Sequence, residues 1–389
     1  MNHPDANQME AIQASLAHRQ DEILGSICKL VEIESPSGDF EGSRAVVNLL
    51  VEIARTIPAI NAVERISVPG YGEHLRIRAF DSRAENIPTT LVLGHTDTVH
   101  PRGTLLTQCV RAEAERLYGP GMFDMKASCV LAFEALRTLV TLDLIPKRPV
   151  VLLLTCDEEA GSQTGRQLVE EEARCAAQVL VLEPPAPGGQ VKTARKGVGM
   201  WKVTARGIAA HAGLNPEAGA SAILELARQT ERFHSMSEPT SGTSFNVGLV
   251  HGGTRTNVVA SEAEIELDVR FSTMKEAHRV TELMRQLQPF DHRVKLGVTG
   301  SLNRGPLERT AGVVKLYRHA REIADCLGFE LGEQSVGGAS DGNFVAAFNV
   351  PVLDGLGPDG DGAHAAHEHI LISDIARRGA LLAGLIATL

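Results

Sequence analysis

The sequence lacks the features that mark several specialised classes of protein. It has no basic excess, because 38 Lys and Arg residues against 48 Asp and Glu residues give a formal net charge of −10. That balance argues against a nucleic-acid-binding protein and is compatible with a site that collects cations. There is no run of about 18 apolar residues to span a bilayer, and the N-terminal residues lack the basic start and apolar stretch of a signal peptide. We therefore expect a cytoplasmic protein without nucleic-acid or membrane partners.

Cysteine, glycine and serine patterns exclude further classes. None of the six cysteines forms a CxxC pair, and scattered thiols are typical of a reducing compartment rather than of a disulfide framework. No GxGxxG motif follows the first predicted buried strand, so a dinucleotide-dependent enzyme lacks support. Ser340 has no His or Asp at a diagnostic spacing, which argues against a serine nucleophile. The cysteines are Cys28, Cys109, Cys129, Cys156, Cys175 and Cys326.

The length and the hydrophobic pattern indicate two domains. With 389 residues the chain exceeds the roughly 250–300 at which a single core stops growing. Buried apolar strands alternate with helical segments in residues 1–194 and 307–389, which predicts an α/β domain with a helix-covered, mostly parallel sheet. Residues 195–306 show antiparallel alternation and two helices, which predicts an inserted α+β domain. Apolar residues at helical spacing over residues 8–33 predict one long N-terminal helix.

The most informative stretch is TCDEEAGS, residues 155–162, which follows the apolar run of residues 150–154. A short apolar run between polar residues is typical of a strand buried on both faces in the middle of a parallel sheet. Open α/β sheets bind ligands at the carboxyl ends of such strands. Because adjacent residues at a strand end point in different directions, Glu158 and Glu159 can have different roles. Our hypothesis is that Glu159 binds a metal ion and Glu158 transfers a proton.

Ligand-type side chains also follow other predicted strands. Imidazole and carboxylate groups are ligands for Zn²⁺ or a similar first-row divalent ion. Two histidines and three carboxylates are too many for one tetrahedral ion with an open position, but they suffice for two ions that share a bridging carboxylate. Asp97 lies two residues after His95, on the same side, which suits a role in fixing the tautomer of that histidine. The five candidate ligands are His95, Asp124, Glu159, Glu183 and His364.

Each of these residues also has an ordinary structural interpretation. Histidines at strand ends are usually solvent-facing or hydrogen-bonded, adjacent glutamates are most often a solvated pair, and a glutamate before two prolines can simply end a strand. Asp124 follows a Gly-Pro-Gly turn, where it could be the N-cap of the next helix. Chemistry alone does not distinguish His364 from His367 and His369 as the ligand. The metal hypothesis therefore depends on the combination, in which four consecutive strand ends each carry a ligand-type residue.

A series of motifs in this order resembles the dizinc metallopeptidases, a family that includes glutamate carboxypeptidase, aminoacylase, acetylornithine deacetylase and succinyl-diaminopimelate desuccinylase. The forms GPGMFDMK and DEEAGS look most like the glutamate carboxypeptidase branch. One departure is Ala365, where the family commonly has Ser after the ligand histidine. The motifs run from about Glu34 to the C-terminus and are LVLGHTDTVHP, GPGMFDMKAS, TCDEEAGS, VLEPP, GIAAHAG, GGTRTNVVA, DVRFST, GGASDGNF and GAHAAHEH.

The resemblance implies two Zn²⁺ ions per subunit, and Co²⁺ or Mn²⁺ suits the same ligands. Glu158 would be the general base, and Asp97 would orient His95. His364 is the implied ligand histidine, because the family pattern places a glutamate, here Glu368, four residues after it. His95 and Glu183 would bind one ion, Glu159 and His364 would bind the other, and Asp124 would bridge both.

The resemblance also implies that residues 195–306 form a lid that mediates dimerisation, with His211, Asn257 and Arg270 at substrate-contacting positions. In this family the histidine of the HAG motif typically reaches the active site of a second subunit, so we expect a homodimer. A glutamate at the position of Glu183, rather than an aspartate, favours a carboxypeptidase or deacylase over an aminopeptidase.

We therefore predict a metal-dependent hydrolase that cleaves the amide bond of a small peptide or N-acyl amino acid with a free C-terminal carboxylate. Arg270 can bind such a carboxylate through two hydrogen bonds. An N-acyl-amino-acid deacylase, of the aminoacylase or deacetylase type, is the alternative that uses the same centre. A non-catalytic metal- or peptide-binding protein is the alternative from another class.

Overall fold

A computed structural model describes residues 3–81 and 87–389 of the chain, which divides into two compact units. Unit 1 consists of Met1–Ala194, Arg309–Val336 and Ser340–Leu389, and unit 2 consists of Arg195–Glu308 and Gly337–Ala339. Within the described ranges, no helix is long and apolar enough to cross a membrane.

Helices and strands are numbered in chain order. The α-helices are α1 Ala6–His18, α2 Gln20–Val31, α3 Phe40–Arg55, α4 Ala127–Thr141, α5 Gly165–Ala173, α6 Ala222–Ser235, α7 Met274–Arg285, α8 Ala311–Cys326, α9 Gly342–Ala346 and α10 Ile375–Thr388. The strands are β1 Ile60–Val68, β2 Gly72–Ala79, β3 Thr89–His95, β4 Arg111–Glu113, β5 Arg116–Tyr118, β6 Val150–Thr155, β7 Ala176–Val181, β8 Val191–Arg195, β9 Gly197–Arg206, β10 Ser244–Gly252, β11 Glu262–Phe271, β12 Lys295–Arg304, β13 Glu333–Val336, β14 Val352–Leu353, β15 Gly360–Asp361 and β16 His369–Leu371.

A six-stranded sheet in the order β1-β2-β6-β3-β7-β14 forms the centre of unit 1. Strands β6, β3, β7 and β14 are parallel, whereas β2 pairs antiparallel with both β6 and β1. Every residue of β3 and β6 is buried, as expected for strands of a helix-covered parallel sheet. Apolar residues of β6 share one core with residues of α1, α4 and α10. The prediction of a helix-covered, mostly parallel α/β fold is confirmed.

The N-terminal helical region differs from its prediction. The expected single helix is two helices, α1 and α2, separated at Arg19, whose φ of −98° and ψ of 9° leave the helical range. The Arg19 guanidinium lies 2.7 Å from Glu22 and 3.1 Å from the buried Glu134 of α4. This pairing with a distant helix has no signature in the local hydrophobic spacing, which is why the periodicity did not predict the break.

Unit 2 contains a four-stranded antiparallel sheet in the order β10-β11-β9-β12. Buried and less buried residues alternate along β9 and β11, because one face of the sheet packs on a core. That core includes Phe233 of α6, Val280 of α7 and Phe271 of β11. The side chains of Ser221 and Thr273 cap the amino ends of the two helices by accepting backbone N–H hydrogen bonds.

Candidate metal centre

Three neighbouring parallel strands of unit 1 carry candidate ligands at or just beyond their carboxyl ends. His95 is the last residue of β3 and lies beside Thr155, the last residue of β6. Glu159 therefore follows close to His95, in the turn after β6. Glu183 follows β7, whose Val181 pairs with Leu93 of β3. The register of the sheet thus places ligand-type side chains from three segments along one edge.

Asp124 and His364 reach this edge from loops rather than from strands of the sheet. Asp124 lies in the segment Met122–Lys126, which precedes α4. The interpretation as an N-cap is wrong, because Lys126 occupies that position and no side chain caps the helix there. His364 follows β15 and has a left-handed φ of 64°. The expectation of four consecutive strand ends is likewise wrong, since the ligand-type residues come from three strand ends and two loops.

The five candidate ligands converge around Asp124. Its Oδ1 lies 3.1 Å from His95 Nε2, and its Oδ2 lies 3.4 Å from His364 Nε2. Glu183 Oε1 lies 3.6 Å from the same nitrogen of His95, and Glu159 Oε1 lies 3.2 Å from His364 Nε2. Asp124 therefore directs one carboxylate oxygen towards each histidine. One glutamate also lies near each of them, Glu183 near His95 and Glu159 near His364.

The electrostatics of this cluster fit divalent cations. Burial disfavours a charged His95, but hydrogen bonding to Asp124 and Asp97 outweighs it and raises the pKa of His95 well above its usual range. Close contacts of His364 Nε2 with the carboxylates of Asp124 and then Glu159 raise the pKa of His364 to about 10. Glu159 Oε1 is buried and makes no hydrogen bond within the described part of the chain, although it lies near His364. Three gathered carboxylates with such an oxygen are stabilised by cations.

Glu158 lies beside the same cluster. His95, Glu158 and Glu183 offer ligand atoms within 4.8 Å of one another, as do His95, Asp124 and Glu159. Geometry thus gives both glutamates access to the centre, and Glu159 Oε1 lies 3.2 Å from His364 Nε2. The division of roles between them, with Glu158 as the proton carrier, stays a prediction.

Asp97 contacts more than the sequence pattern indicated. His95 Nδ1 lies 3.0 Å from the Asp97 backbone carbonyl and 3.5 Å from the nearer carboxylate oxygen. A carbonyl oxygen only accepts, so Nδ1 carries a hydrogen, and Nε2, which faces Asp124, is the nitrogen that would bind a metal ion in place of a proton. The Asp97 carboxylate accepts hydrogen bonds from the backbone N–H groups of Glu158, at 3.2 Å, and Glu159, at 3.1 Å. Ser37, which sequence reasoning missed, donates its hydroxyl to this carboxylate at 2.5 Å.

Arg378 of α10 is a second residue that sequence reasoning missed. It is 1% exposed, and burial lowers the pKa of its guanidinium to about 10. The guanidinium donates hydrogen bonds to the carbonyls of Gly357 at 2.7 Å and Gly189 at 2.9 Å, and also to Gly355. These carbonyls lie in the loops after β7 and β14, so Arg378 fixes the chain that leads towards His364. Nothing in the helical pattern of α10 signals this role.

The three predicted substrate-contacting residues lie in unit 2. His211 Nδ1 accepts hydrogen bonds from the backbone N–H groups of Gly213 and Leu214, each at 3.1 Å, so its Nε2 carries the hydrogen. The Asn257 carbonyl accepts from the Ala212 N–H at 3.0 Å, which brings these two segments together. Arg270 pairs with Asp268 through two hydrogen bonds of 2.7 and 2.9 Å, a contact that the sequence pattern did not predict.

Comparison with known proteins places the chain among related sequences and structures. The model of Peptidase family M20/M25/M40 matches residues 91–388. The chain is 27% identical over 378 residues to carboxypeptidase G2 from Pseudomonas sp. (strain RS-16), covering 95% of this chain and 90% of that protein. It is 31% identical over 324 residues to succinyl-diaminopimelate desuccinylase from Acidovorax ebreus (strain TPSY), covering 77% and 80%. Aminopeptidase PepT from Bacillus cereus has a similar fold, with a TM-score of 0.76 and 20% identity over 95% of this chain and 98% of that one.

Proposed function

The chain belongs to peptidase family M20/M25/M40, and on this basis we propose that it is a dizinc carboxypeptidase. The predicted family and the prediction of a hydrolase of the peptidase or deacylase type are confirmed, which sets aside the non-catalytic alternative. The proposed substrate is a small peptide or N-acyl amino acid with a free C-terminal carboxylate, cleaved at its amide bond.

One observation carries this proposal. Asp124 directs its two carboxylate oxygens towards His95 and His364, at 3.1 and 3.4 Å. Such an arrangement suits a carboxylate that bridges two ions, with Glu183 completing the side of His95 and Glu159 the side of His364. Zn²⁺ is the proposed ion because imidazole and carboxylate ligands suit it, and Co²⁺ or Mn²⁺ fits the same set.

In the proposed mechanism, divalent ions held by these five residues would supply an activated water and polarise the carbonyl of the scissile amide. Glu158 accepts the proton of the attacking water and passes it to the leaving amine. The Asp97 carboxylate fixes the backbone N–H groups of Glu158 and Glu159, so both side chains start from a defined position. The Asp97 carbonyl keeps the hydrogen of His95 on Nδ1.

Unit 2 is proposed to act as the lid and dimerisation domain. His211 from a second subunit would donate its Nε2–H to the developing oxyanion, a type of contact worth about 3–4 kcal/mol. Its Nδ1 is already an acceptor of two backbone N–H groups, which leaves Nε2 as the donor. Arg270 would bind the substrate carboxylate, which must then compete with Asp268 for the guanidinium, and Asn257 would also contact the substrate.

The second candidate is an N-acyl-amino-acid deacylase. Identity of 31% to a succinyl-diaminopimelate desuccinylase favours it, whereas the carboxypeptidase is favoured by the longer match to carboxypeptidase G2 at 27% identity. Both reactions use the same centre, so only substrate preference separates them.

A substrate panel with zinc-loaded protein tests the proposal. N-acyl glutamates, dipeptides, acetylated amino acids and N-succinyl-diaminopimelate are compared by kcat/KM, with and without a chelator. The carboxypeptidase proposal expects the highest kcat/KM for peptides or N-acyl glutamates and loss of activity on chelation. A preference for succinyl or acetyl groups at other amino acids would instead identify the deacylase.

A mixing experiment tests the dimer. Inactive Glu158→Ala and His211→Ala proteins are combined under conditions that exchange subunits. Partial recovery of activity is expected, because a mixed dimer contains one site with both residues intact. Size-exclusion chromatography with light scattering gives the oligomeric state independently, and a monomer at assay concentration would contradict the proposal.

A further inference from the structure

Glu368 is a buried carboxylate that makes a dense set of hydrogen bonds next to the candidate metal centre. It is 2% exposed. Its Oε1 accepts the backbone N–H groups of Phe123 at 2.8 Å and Asp124 at 2.9 Å. Its Oε2 accepts the N–H of Gly121 at 2.8 Å and lies 2.6 Å from His100 Nε2. Three backbone N–H groups of one loop therefore donate to this carboxylate, which leaves the backbone of Asp124 little freedom.

The same residue belongs to the loop that carries His364, four positions earlier. Its backbone N–H donates to the Ala365 carbonyl at 3.2 Å, and the Ala365 N–H donates to Gly362 at 2.8 Å. Gly362 has a φ of 82°, and a Cβ on it would lie 3.0 Å from the Glu368 backbone, so the loop is closely wound. A fixed position of Glu368 therefore also limits where His364 lies.

A small sheet joins the two loops beside Glu368. Strand β16, which begins one residue after Glu368, pairs antiparallel with β5, and His369 lies opposite Tyr118. The Glu368 carbonyl accepts the Gly119 N–H at 3.2 Å. The pairing of β16 with β5 holds the two loops close together. The Glu368 carboxylate adds hydrogen bonds to the backbone around Asp124.

We propose that Glu368 is a positioning residue that holds Asp124 and His364 in register for the ion they share with Glu159. This inference rests on the proposed dinuclear centre. An ionised carboxylate accepts hydrogen bonds only, and bonds to it from N–H groups are stronger than those to neutral acceptors. In Glu368→Gln the amide NH₂ would face backbone N–H groups, which are also donors, so the loop around Asp124 would shift.

Unit 2 offers a matched control. Glu225 is also 2% exposed. It accepts the backbone N–H groups of Phe290 and Asp291 at 3.0 Å and the side chain of Gln229 at 2.9 Å. Glu225→Gln therefore makes the same chemical change, in a similar buried setting, within the unit that contains none of the candidate ligands.

The experiment measures metal binding by the full-length chain rather than activity. Metal-stripped wild type, Glu368→Gln, Glu225→Gln and His364→Ala are titrated with Co²⁺ against a chelating dye, and the visible Co²⁺ spectrum is recorded. Wild type is expected to bind two ions. Glu368→Gln is expected to weaken the binding of one ion, the same ion whose binding His364→Ala abolishes. The expected loss of affinity is about 10–100-fold, which is typical when a hydrogen-bond partner of a metal ligand is removed, and the spectrum of that ion should change. Glu225→Gln is expected to leave both affinities unchanged while lowering the thermal unfolding midpoint.

Wild-type affinity for both ions in Glu368→Gln would overturn the inference, as would equal losses of affinity in Glu368→Gln and Glu225→Gln. If wild type binds two ions, either of these results would overturn only the inference and would leave the proposed function intact. Fewer than two ions in wild type would overturn the dinuclear centre and the inference together. If Glu368→Gln does not fold, His100→Ala is measured in its place. A smaller loss of affinity for the same ion would support the inference, and unchanged affinity would overturn it.

Discussion

The sheets of the two units use polar side chains in different ways. In unit 1, β3 and β6 are buried throughout, and the candidate functional side chains lie at or beyond their ends, at His95 and the pair Glu158 and Glu159. In unit 2, polar residues alternate with core residues along the strands and pair on the sheet surface, as Lys202 does with Glu264. A parallel sheet covered by helices thus concentrates polar groups at one edge, whereas a sheet packed on one face spreads them along its length.

The largest effect expected from this difference is on catalysis. Glu158→Ala should lower kcat by about 10²–10⁴-fold, because positioned proton transfer contributes that much, while both metal ions stay bound. Glu264→Ala, on the surface of the unit 2 sheet, should leave kcat unchanged. Steady-state kinetics with metal analysis of each protein gives the result. Full activity in Glu158→Ala would contradict its role as the base.

The next largest effect concerns stability, where the two sheets should behave alike. Leu152 of β6 and Leu267 of β11 are 1% and 3% exposed. Truncating either to alanine should lower the free energy of unfolding by about 2–5 kcal/mol, because each leaves a cavity. The single tryptophan, Trp201, is buried in unit 2, so its fluorescence monitors Leu267→Ala, and circular dichroism monitors Leu152→Ala. A loss below about 1 kcal/mol at either position would mean that the site collapses around the missing atoms.

A smaller effect, on metal affinity, is expected from a residue that hydrogen-bonds the backbone next to the candidate metal ligands. Asp97→Asn should weaken metal affinity by about 10–100-fold, since an amide accepts fewer of the hydrogen bonds from Ser37, Glu158 and Glu159. Asp291→Asn is the control, because Asp291 pairs with Arg293 on the surface of unit 2. Isothermal titration of metal-stripped protein measures both variants. Equal affinities in Asp97→Asn and wild type would show that this carboxylate does not support the centre.

The smallest effect is a pH dependence confined to the candidate centre. Asp124 and Glu159 raise the pKa of His364 to about 10, so an ion must displace a proton from His364 at pH 7 to 9. Protons are favoured as the pH falls, so metal affinity should fall with it, by up to about tenfold per pH unit for each proton displaced. Titrations in weakly buffered solution should release protons. Pairs in unit 2 such as Lys202 with Glu264 should not contribute, and binding without proton release would contradict the prediction.

The fold class followed from local patterns. Apolar runs such as residues 150–154 predicted buried strands, and the structure has β6 over Val150–Thr155 between two neighbours of the same sheet. The same logic located the Glu158 and Glu159 pair at the carboxyl end, because a buried strand leaves its polar residues at its boundary. These features depend on residues close in sequence, which periodicity describes.

Other features depend on residues far apart in the chain, and only the tertiary structure decided them. The first helical region breaks at Arg19, whose guanidinium contacts Glu134, 115 residues further along the chain. The hydrogen bond from Phe123 to Glu368 spans 245 residues, and no local pattern specifies such a partner.

By itself, then, the sequence determined which segments are buried, which residues could bind metal and which family the chain belongs to. Each of these is recorded in short motifs and hydrophobic spacing. The tertiary structure decided that Asp124 directs one oxygen to each histidine and that Asp97 and Glu368 hold the surrounding backbone. The physical reason is that hydrogen-bond partners are chosen by distance and direction in three dimensions, which the packing of the whole unit sets.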